Sequence, residues 1–489
     1  MPGDAVGGRV IGLAIAGAVG GFLFGFDSSV VNGAVDAIQY DFGLDPTATG
    51  FAIAIALLGC ALGAELAGRL ADRFGRVPVM LVGAVLFLVS SIGSGLAIGV
   101  WDLIVWRLVG GVGIGIASVV APAYIAEISP SRVRGRFASL QQLAIVLGIF
   151  AALLSDAIFA NLAGGANSPL WFGLDAWRWM FIACAVPAIV YGGIALALPE
   201  SPRYLVKAGR EDEARTVLAR IVPAGEVDTS IAEVRGSIER DAGQQGSLRG
   251  PALGLRPIVW VGILLSVFQQ FVGINVIFYY STTLWRAVGF AESDSLTISV
   301  ITSVTNILVT LVAIALVDKI GRRPLLIGGS IGMAVALTTM AVAFSQATTG
   351  EAGPSLPGAW GPIALVAANV FVVAFGASWG PVVWVLLGEI FPNRIRARAL
   401  GVAAAAQWVA NFLITVTFPA LASFSLTFAY GMYAVFAVLS LLFVLTRVPE
   451  TKGTKLEDAE QLRRPERRRG AGRRSPAADA PIPDPTPQA

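Results

Sequence analysis

Asp27 stands in the stretch "GFLFGFDSSVV" (21–31), a carboxylate among residues otherwise suited only to lipid or a protein core. An ionised Asp at mid-bilayer costs roughly 2.5–3.5 kcal/mol, so it must bind a proton, pair with a cation, or alternate between the two. The candidate cation is Arg107 in "WRLVGGVGIGIAS", where the small residues that follow permit close helix contact. Neutral amides recur in other apolar runs: Gln142, Gln269, Gln270, Asn275, Asn306, Gln407 and Asn411. Each amide offers two donors and an acceptor, which suits a neutral solute whose hydroxyls both donate and accept. Charged groups at that depth would be costly and would favour ions instead. Trp384, just after "GPVV", could stack on the apolar face of a ring. The chain contains no histidine, so proton chemistry near neutral pH must fall to a carboxylate. Neither HExxH nor a phosphate loop is present; an enzyme, a cofactor and a metal are not expected.

The elements that must position these residues are membrane spans. Hydrophobic residues make up 55% of the 489 and charged ones only 14%, against about 25% charged in soluble domains. Twelve apolar runs, each able to cross roughly 30 Å of hydrocarbon, lie near 9–35, 50–70, 78–99, 102–126, 137–160, 178–198, 258–281, 297–318, 324–345, 361–388, 398–421 and 427–447. Lipid offers the backbone no hydrogen-bond partners, so they are expected to be helices. The first run is too long for a cleavable signal and is expected to stay as the first helix. Gln407 and Asn411 fall one turn apart on one face. Gln270 and Asn275 would diverge by roughly 140° in an ideal helix, and Gly273 between them permits a local break. Asp156, near the outer end of its span, is expected to be solvated. Cys60 and Cys184 fall inside spans and read as small core residues.

Every second connection is basic: Arg69, Arg73 and Arg76; Arg132, Arg134 and Arg136; Lys319, Arg322 and Arg323; Arg394, Arg396 and Arg398. The intervening connections hold little beyond Arg178 and Arg286. The basic loops and both termini are therefore expected on the cytoplasmic side of a plasma-membrane protein. The net charge of +3 is mostly this asymmetry plus a basic tail, so no nucleic-acid partner is expected.

The chain is also written twice. "EISPSRVRGR" (127–136) returns as "EIFPNRIRAR" (389–398), "ADRFGR" (71–76) as "VDKIGRR" (317–323), and "PESPR" (199–203) as "PETKG" (449–453). The expected organisation is a six-helix bundle over 1–198, a cytoplasmic helical linker over 199–257, a second six-helix bundle over 258–448, and a mostly disordered cytoplasmic tail over 449–489. The linker segments "EDEARTVLARI" and "IAEVRGSIER" look like amphipathic surface helices.

From about residue 10 to 455 the chain resembles the sugar porter family of the major facilitator superfamily, on the ordered set "GRLADRFGR", "PESPR", "QQFVGINVIFYY", "DKIGRRP", "GEIFPNRIRAR" and "PETKG". The nearest likeness is to bacterial proton-coupled glucose and xylose symporters. The resemblance implies an all-α fold of two pseudo-symmetric six-helix bundles rocking about a central site. It implies that Gln142, Gln269, Gln270, Asn275, Trp384 and Gln407 hold sugar, with Asn306 and Asn411 among the same span amides, and that Asp27 and Arg107 couple the proton. In passive uniporters of the family the position of Asp27 is typically Asn. The resemblance also implies that Arg76, Glu127, Arg134, Arg136, Glu200, Arg323, Glu389, Arg396, Arg398 and Glu450 form ion pairs between the halves when the cytoplasmic side is closed. D-glucose is the expected solute, with xylose, galactose and inositol as alternatives; the expected carrier is a monomer in the bilayer, with sugar and proton as partners.

Overall fold

The computed structural model describes residues 2–128, 134–243, 247–350, 353–392 and 395–451, with the backbone alone at 2–18, 126, 134–141, 224, 240–243, 318, 349–350, 353–354 and 397. Of the expected tail over 449–489, all but 449–451 lies outside the described residues.

The chain is almost wholly helical. The first half holds α1 (Pro2–Asp41), α2 (Pro46–Phe74), α3 (Arg76–Gly95), α4 (Val100–Ile128), α5 (Arg134–Ala163), α6 (Ala176–Ala183) and α7 (Ala185–Ala197). Short helices α8 (Pro202–Lys207), α9 (Glu211–Leu218) and α10 (Val227–Gly243) follow. The second half holds α11 (Pro257–Phe271), α12 (Ile274–Tyr279), α13 (Ser281–Arg286), α14 (Glu292–Ile320), α15 (Arg322–Ser345), α16 (Trp360–Gly376), α17 (Trp379–Ile390), α18 (Arg396–Phe424) and α19 (Leu426–Arg447). Among the described residues, 11 spans are long and apolar enough to cross a membrane, with α6–α7, α11–α12 and α16–α17 each crossing as a broken pair; α1 contains the first of the expected runs. Opposite the basic loops, the β1 (Pro169–Trp171) and β2 (Leu174–Asp175) hairpin joins α5 to α6.

Two breaks matter for function. At Gly273 the backbone turns left-handed, with φ of 84°, and divides α11 from α12, as the spacing of Gln270 and Asn275 requires. The ring of Tyr433 closes on the gap, and a methyl group added there would sit 2.8 Å from its Cδ2. Gly273→Ala combines a φ that L-residues avoid with that overlap. Expected is a loss of about 1–3 kcal/mol, read as a lower melting temperature in detergent. The second break, at Ser378 between α16 and α17, was absent from the expected single span over 361–388.

Small residues let the helices touch. A methyl group at Gly59 or Gly63 of α2 would lie 2.4 or 2.2 Å from carbonyl oxygens of α4. Lipid supplies no hydrophobic force between spans, so such close backbone contact is what holds them together.

Candidate functional site

The two halves carry the same polar junction at their arginine-rich ends. Arg76 donates to Glu127 Oε1 at 2.7 Å and to the Ala71 carbonyl, while its backbone N–H donates to Glu200 Oε1 at 2.9 Å. Arg322 repeats each bond: to Glu389 Oε1 at 2.9 Å, to the Val317 carbonyl, and from its backbone N–H to Glu450 Oε1 at 3.1 Å. Ser201 and Thr451 each donate a hydroxyl to the matching Glu. Arg322 therefore takes the place in which Arg323 was expected; Arg323 donates its Nη2 to the Leu445 carbonyl instead. The register of "DRFGR" against "DKIGRR" already pairs Arg76 with Arg322. Gly75 and Gly321 make these turns possible, with φ of 100° and 106° and a Glu oxygen of Glu200 or Glu450 where a side chain would begin.

All these bonds lie within a half. Arg396 donates to the Phe391 carbonyl, also within its half, and burial lowers its pKa from the ordinary value. Arg398 is exposed. The side chains of Arg134 and Arg136 lie outside the described residues.

At the arginine-poor end, bonds cross between the halves. Asn32 of α1 donates to the Phe278 carbonyl at 2.9 Å and to Ser281 Oγ at 2.7 Å, and accepts from the Thr282 N–H at 3.0 Å and from the Thr282 hydroxyl. One turn on, Asp36 pairs with Arg286 at 2.8 Å and accepts from Thr283. Ala166 donates its N–H to Glu292 Oε1. The structure is thus latched at this end. None of these residues was expected as functional, because a short polar side chain at a span end carries no distinctive spacing. Asn32→Ala removes a fully buried side chain making four bonds, each worth about 1 kcal/mol net. It should shift the population toward opening at this end by roughly a hundred- to a thousandfold. Spin labels at the exposed positions Tyr40→Cys and Phe424→Cys would report a longer distance.

Between the two ends lies the charge pair. Asp27 and Arg107 are each 5% exposed, and Arg107 Nη1 donates to Asp27 Oδ1 at 2.6 Å. The guanidinium also lies 5.5 Å from the Phe181 ring centre. The void beside the pair is walled by Phe24, Ile53, Leu57 and Cys60 of the first half and by Tyr279 and Thr415 of the second.

Thr415 carries the connection onward. Its hydroxyl donates to Asn411 Oδ1 at 3.2 Å, and Asn275 Nδ2 donates both to Asn411 Oδ1 at 2.7 Å and to Gln270 Oε1 at 2.5 Å. Three of the expected amides therefore form one connected group. Gln269 spends its Nε2 on the Trp379 and Gly380 carbonyls and leaves Oε1 without a partner; Gln407 Oε1 is unpartnered as well. Buried acceptors of this kind suit a ligand that brings hydroxyl donors. Trp384 is 45% exposed while Val382, Val383, Leu386 and Leu387 around it are buried. Gln142 is half-buried on α5, and Asn306 is buried on α14 against Gly376. Asp156 departs from expectation: it is wholly buried, with its Oδ2 accepting the Gly33 N–H at 3.1 Å.

Residues 13–462 match the family model described as "Sugar (and other) transporter". The chain is 56% identical over 443 residues to a glucose transport protein of Synechocystis sp., covering 90% of this chain and 94% of that one. It is 35% identical to the D-xylose-proton symporter of Escherichia coli, covering 94% and 96%. Among solved structures, the partially occluded inward-open form of the xylose transporter XylE from E. coli aligns with a TM-score of 0.79 at 34% identity, covering 91% of this chain and 99% of that one.

Proposed function

Since the chain belongs to the sugar transporter family of the major facilitator superfamily, we propose that it is a proton-coupled monosaccharide symporter of the plasma membrane, with D-glucose as the solute. The likeness to a glucose transport protein at 56% identity supports the choice of sugar. The observation that carries the coupling is the shared wall: Tyr279 and Thr415 border the Asp27–Arg107 void, and Thr415 is bonded into the amide group.

The cycle follows from elementary electrostatics. Open outward, Asp27 takes a proton and its attraction for Arg107 falls from a charge-assisted bond to a neutral one. Sugar occupies Gln142, Gln269, Gln270, Asn275, Asn306, Gln407 and Asn411, with its apolar face on Trp384. The arginine-poor end then latches through Asn32 and Asp36, giving the conformation described above. Sugar and proton leave to the cytoplasm, and Asp27, ionised, pairs again with Arg107 at 2.6 Å. Residues 1–198 and 258–448 are the rocking bundles, 199–257 the cytoplasmic linker, and the carrier works as a monomer with both termini cytoplasmic. In the opposite conformation the charges at Arg76, Glu127, Glu200, Arg322, Glu389 and Glu450 bond across the halves.

One charge moving down 100 mV yields about 2.3 kcal/mol and one pH unit about 1.36 kcal/mol. At about 1.4 kcal/mol per tenfold, one proton could concentrate sugar several hundred-fold. The test is uptake of a panel of labelled sugars into vesicles holding the purified protein. Accumulation above the external level, collapsing with a protonophore, is expected for glucose; simple equilibration would make the protein a passive carrier.

A further inference from the structure

We propose that Asp156 is a second proton-binding site, separate from Asp27, that fills as the arginine-poor end of the transporter closes. The observations are steric first. Along α1, Gly25, Ser29 and Gly33 recur every fourth residue; along α5, so do Gly148, Ala152 and Asp156. These are the faces on which the two helices meet: a methyl group added at Gly25 would lie 2.0 Å from the Ile145 carbonyl oxygen, one at Gly148 2.2 Å from that of Phe22, and one at Gly33 2.6 Å from Asp156 Cβ. A seam of this kind is built from small apolar or hydroxyl residues. A carboxylate is the misfit.

Among the described residues no cation bonds to it. Oδ2 accepts the Gly33 N–H, while Oδ1 is buried and without a partner. The charged groups toward that end on the elements packed against α5 are engaged elsewhere. On α1, Asp27 holds Arg107 of α4 and Asp36 holds Arg286. On α14, Glu292 accepts from Ala166, and on α6, Arg178 donates to the Gly95 and Ala97 carbonyls. Cys184, between α6 and α7, is a buried free thiol. A buried carboxylate without a cation or a full set of donors is the costliest way to leave an Asp, and taking up a proton is its usual relief.

Closure completes the burial that α1 begins. Gly33 lies between Asn32 and Asp36, the two α1 residues of the latch, and α5 packs along α14 of the other half. Opening that end withdraws α12, α13 and α14 from this stretch and admits water to the carboxyl. The proton is taken from and returned to the same side, so it is not carried across. External acid instead favours the closed end, by up to tenfold per pH unit for one proton. The consequence for transport rests on the alternating-access reading; the proton site itself does not.

The test removes Asp27 from the question. Asp27 and Asp156 are the buried acids among the described residues, so Asp27→Asn leaves Asp156 as the single buried carboxyl there. In that background the infrared spectrum is expected to show a protonated carboxylic C=O band, shifted in D2O and lost on adding Asp156→Asn. The spin-label distance between Tyr40→Cys and Phe424→Cys should shift toward the closed population as pH falls, and become independent of pH with Asp156→Asn or, should that variant fold poorly, Asp156→Ser. Absence of the band, or an unchanged pH dependence in both Asp156 variants, would overturn the proposal. Sugar transport that proves passive while the band and the shift persist would sink only the symport reading.

Discussion

Asp27→Asn is expected to abolish uphill accumulation, from several hundred-fold to the external level, while labelled sugar still exchanges across the membrane. Asn fills the same space and can still accept a bond from Arg107, so the geometry at 2.6 Å is disturbed little. What it cannot do is alternate between charged and neutral forms, the step that ties proton entry to sugar movement in the proposed cycle. Removing the carboxylate leaves Arg107 buried without its counter-charge, and breaking such a pair outright costs about 3–5 kcal/mol. The retained amide oxygen and the Phe181 ring, 5.5 Å from the guanidinium, hold the loss below that range. Sugar counterflow and pH-driven uptake, measured side by side in the same vesicles, check the result. Accumulation that survives would show that another group carries the proton.

The latch explains why a single acid can command a large motion. The bonds at Asn32 and Asp36 cross between the halves, whereas those at Arg76 and Arg322 stay within them. Among the described bonds, those at the arginine-poor end join the halves, with the charge pair lying between the two ends. Tyr279 belongs to the element that forms the latch and also borders the Asp27 void. Tyr279 directly follows Phe278, whose carbonyl Asn32 holds, so the void at Asp27 and the latch share adjoining residues.

Much of this was legible in residue order. The duplication placed Glu127 opposite Glu389 and Glu200 opposite Glu450, and both pairs occupy equivalent junctions. The five-residue spacing of Gln270 and Asn275 demanded a break, and Gly273 supplies it. What was not legible depends on which neighbour each helix face meets. Asp156 looked solvated because it lies near a span end; its burial follows from the glycines on α1, which draw that helix onto it. The family resemblance pointed to Arg323, whereas the register of the repeat pairs Arg76 with Arg322, and it is Arg322 that reaches Glu389. The latch residues are ordinary Asn, Ser and Thr, whose role exists only once two halves far apart in sequence meet.

Asn275→Ala is expected to weaken sugar binding by about 30- to 100-fold, or roughly 2–3 kcal/mol, while the pH dependence set by Asp27 persists. Asn275 is the hub of the amide group: its Nδ2 joins Gln270 of α11 to Asn411 of α18, across the break at Gly273. Truncation removes its own bonds to the ligand and also frees Gln270 and Asn411 to reorient, so the loss exceeds that of one neutral bond. The competing account is that these amides merely tie helices together, as buried Asn and Gln often do in spans. The two accounts part on what is measured. Helix glue predicts a lower melting temperature with unchanged affinity in the protein that stays folded; a binding site predicts lost affinity, and lost stabilisation by added sugar, at a nearly unchanged melting temperature. Thr338→Ala is the control, since Thr338 of α15 is exposed and its hydroxyl bonds the Ala334 carbonyl of its own helix, so affinity should be unchanged. Gln269 and Gln407 each keep a buried acceptor without a partner, which is what a binding site for hydroxyls requires.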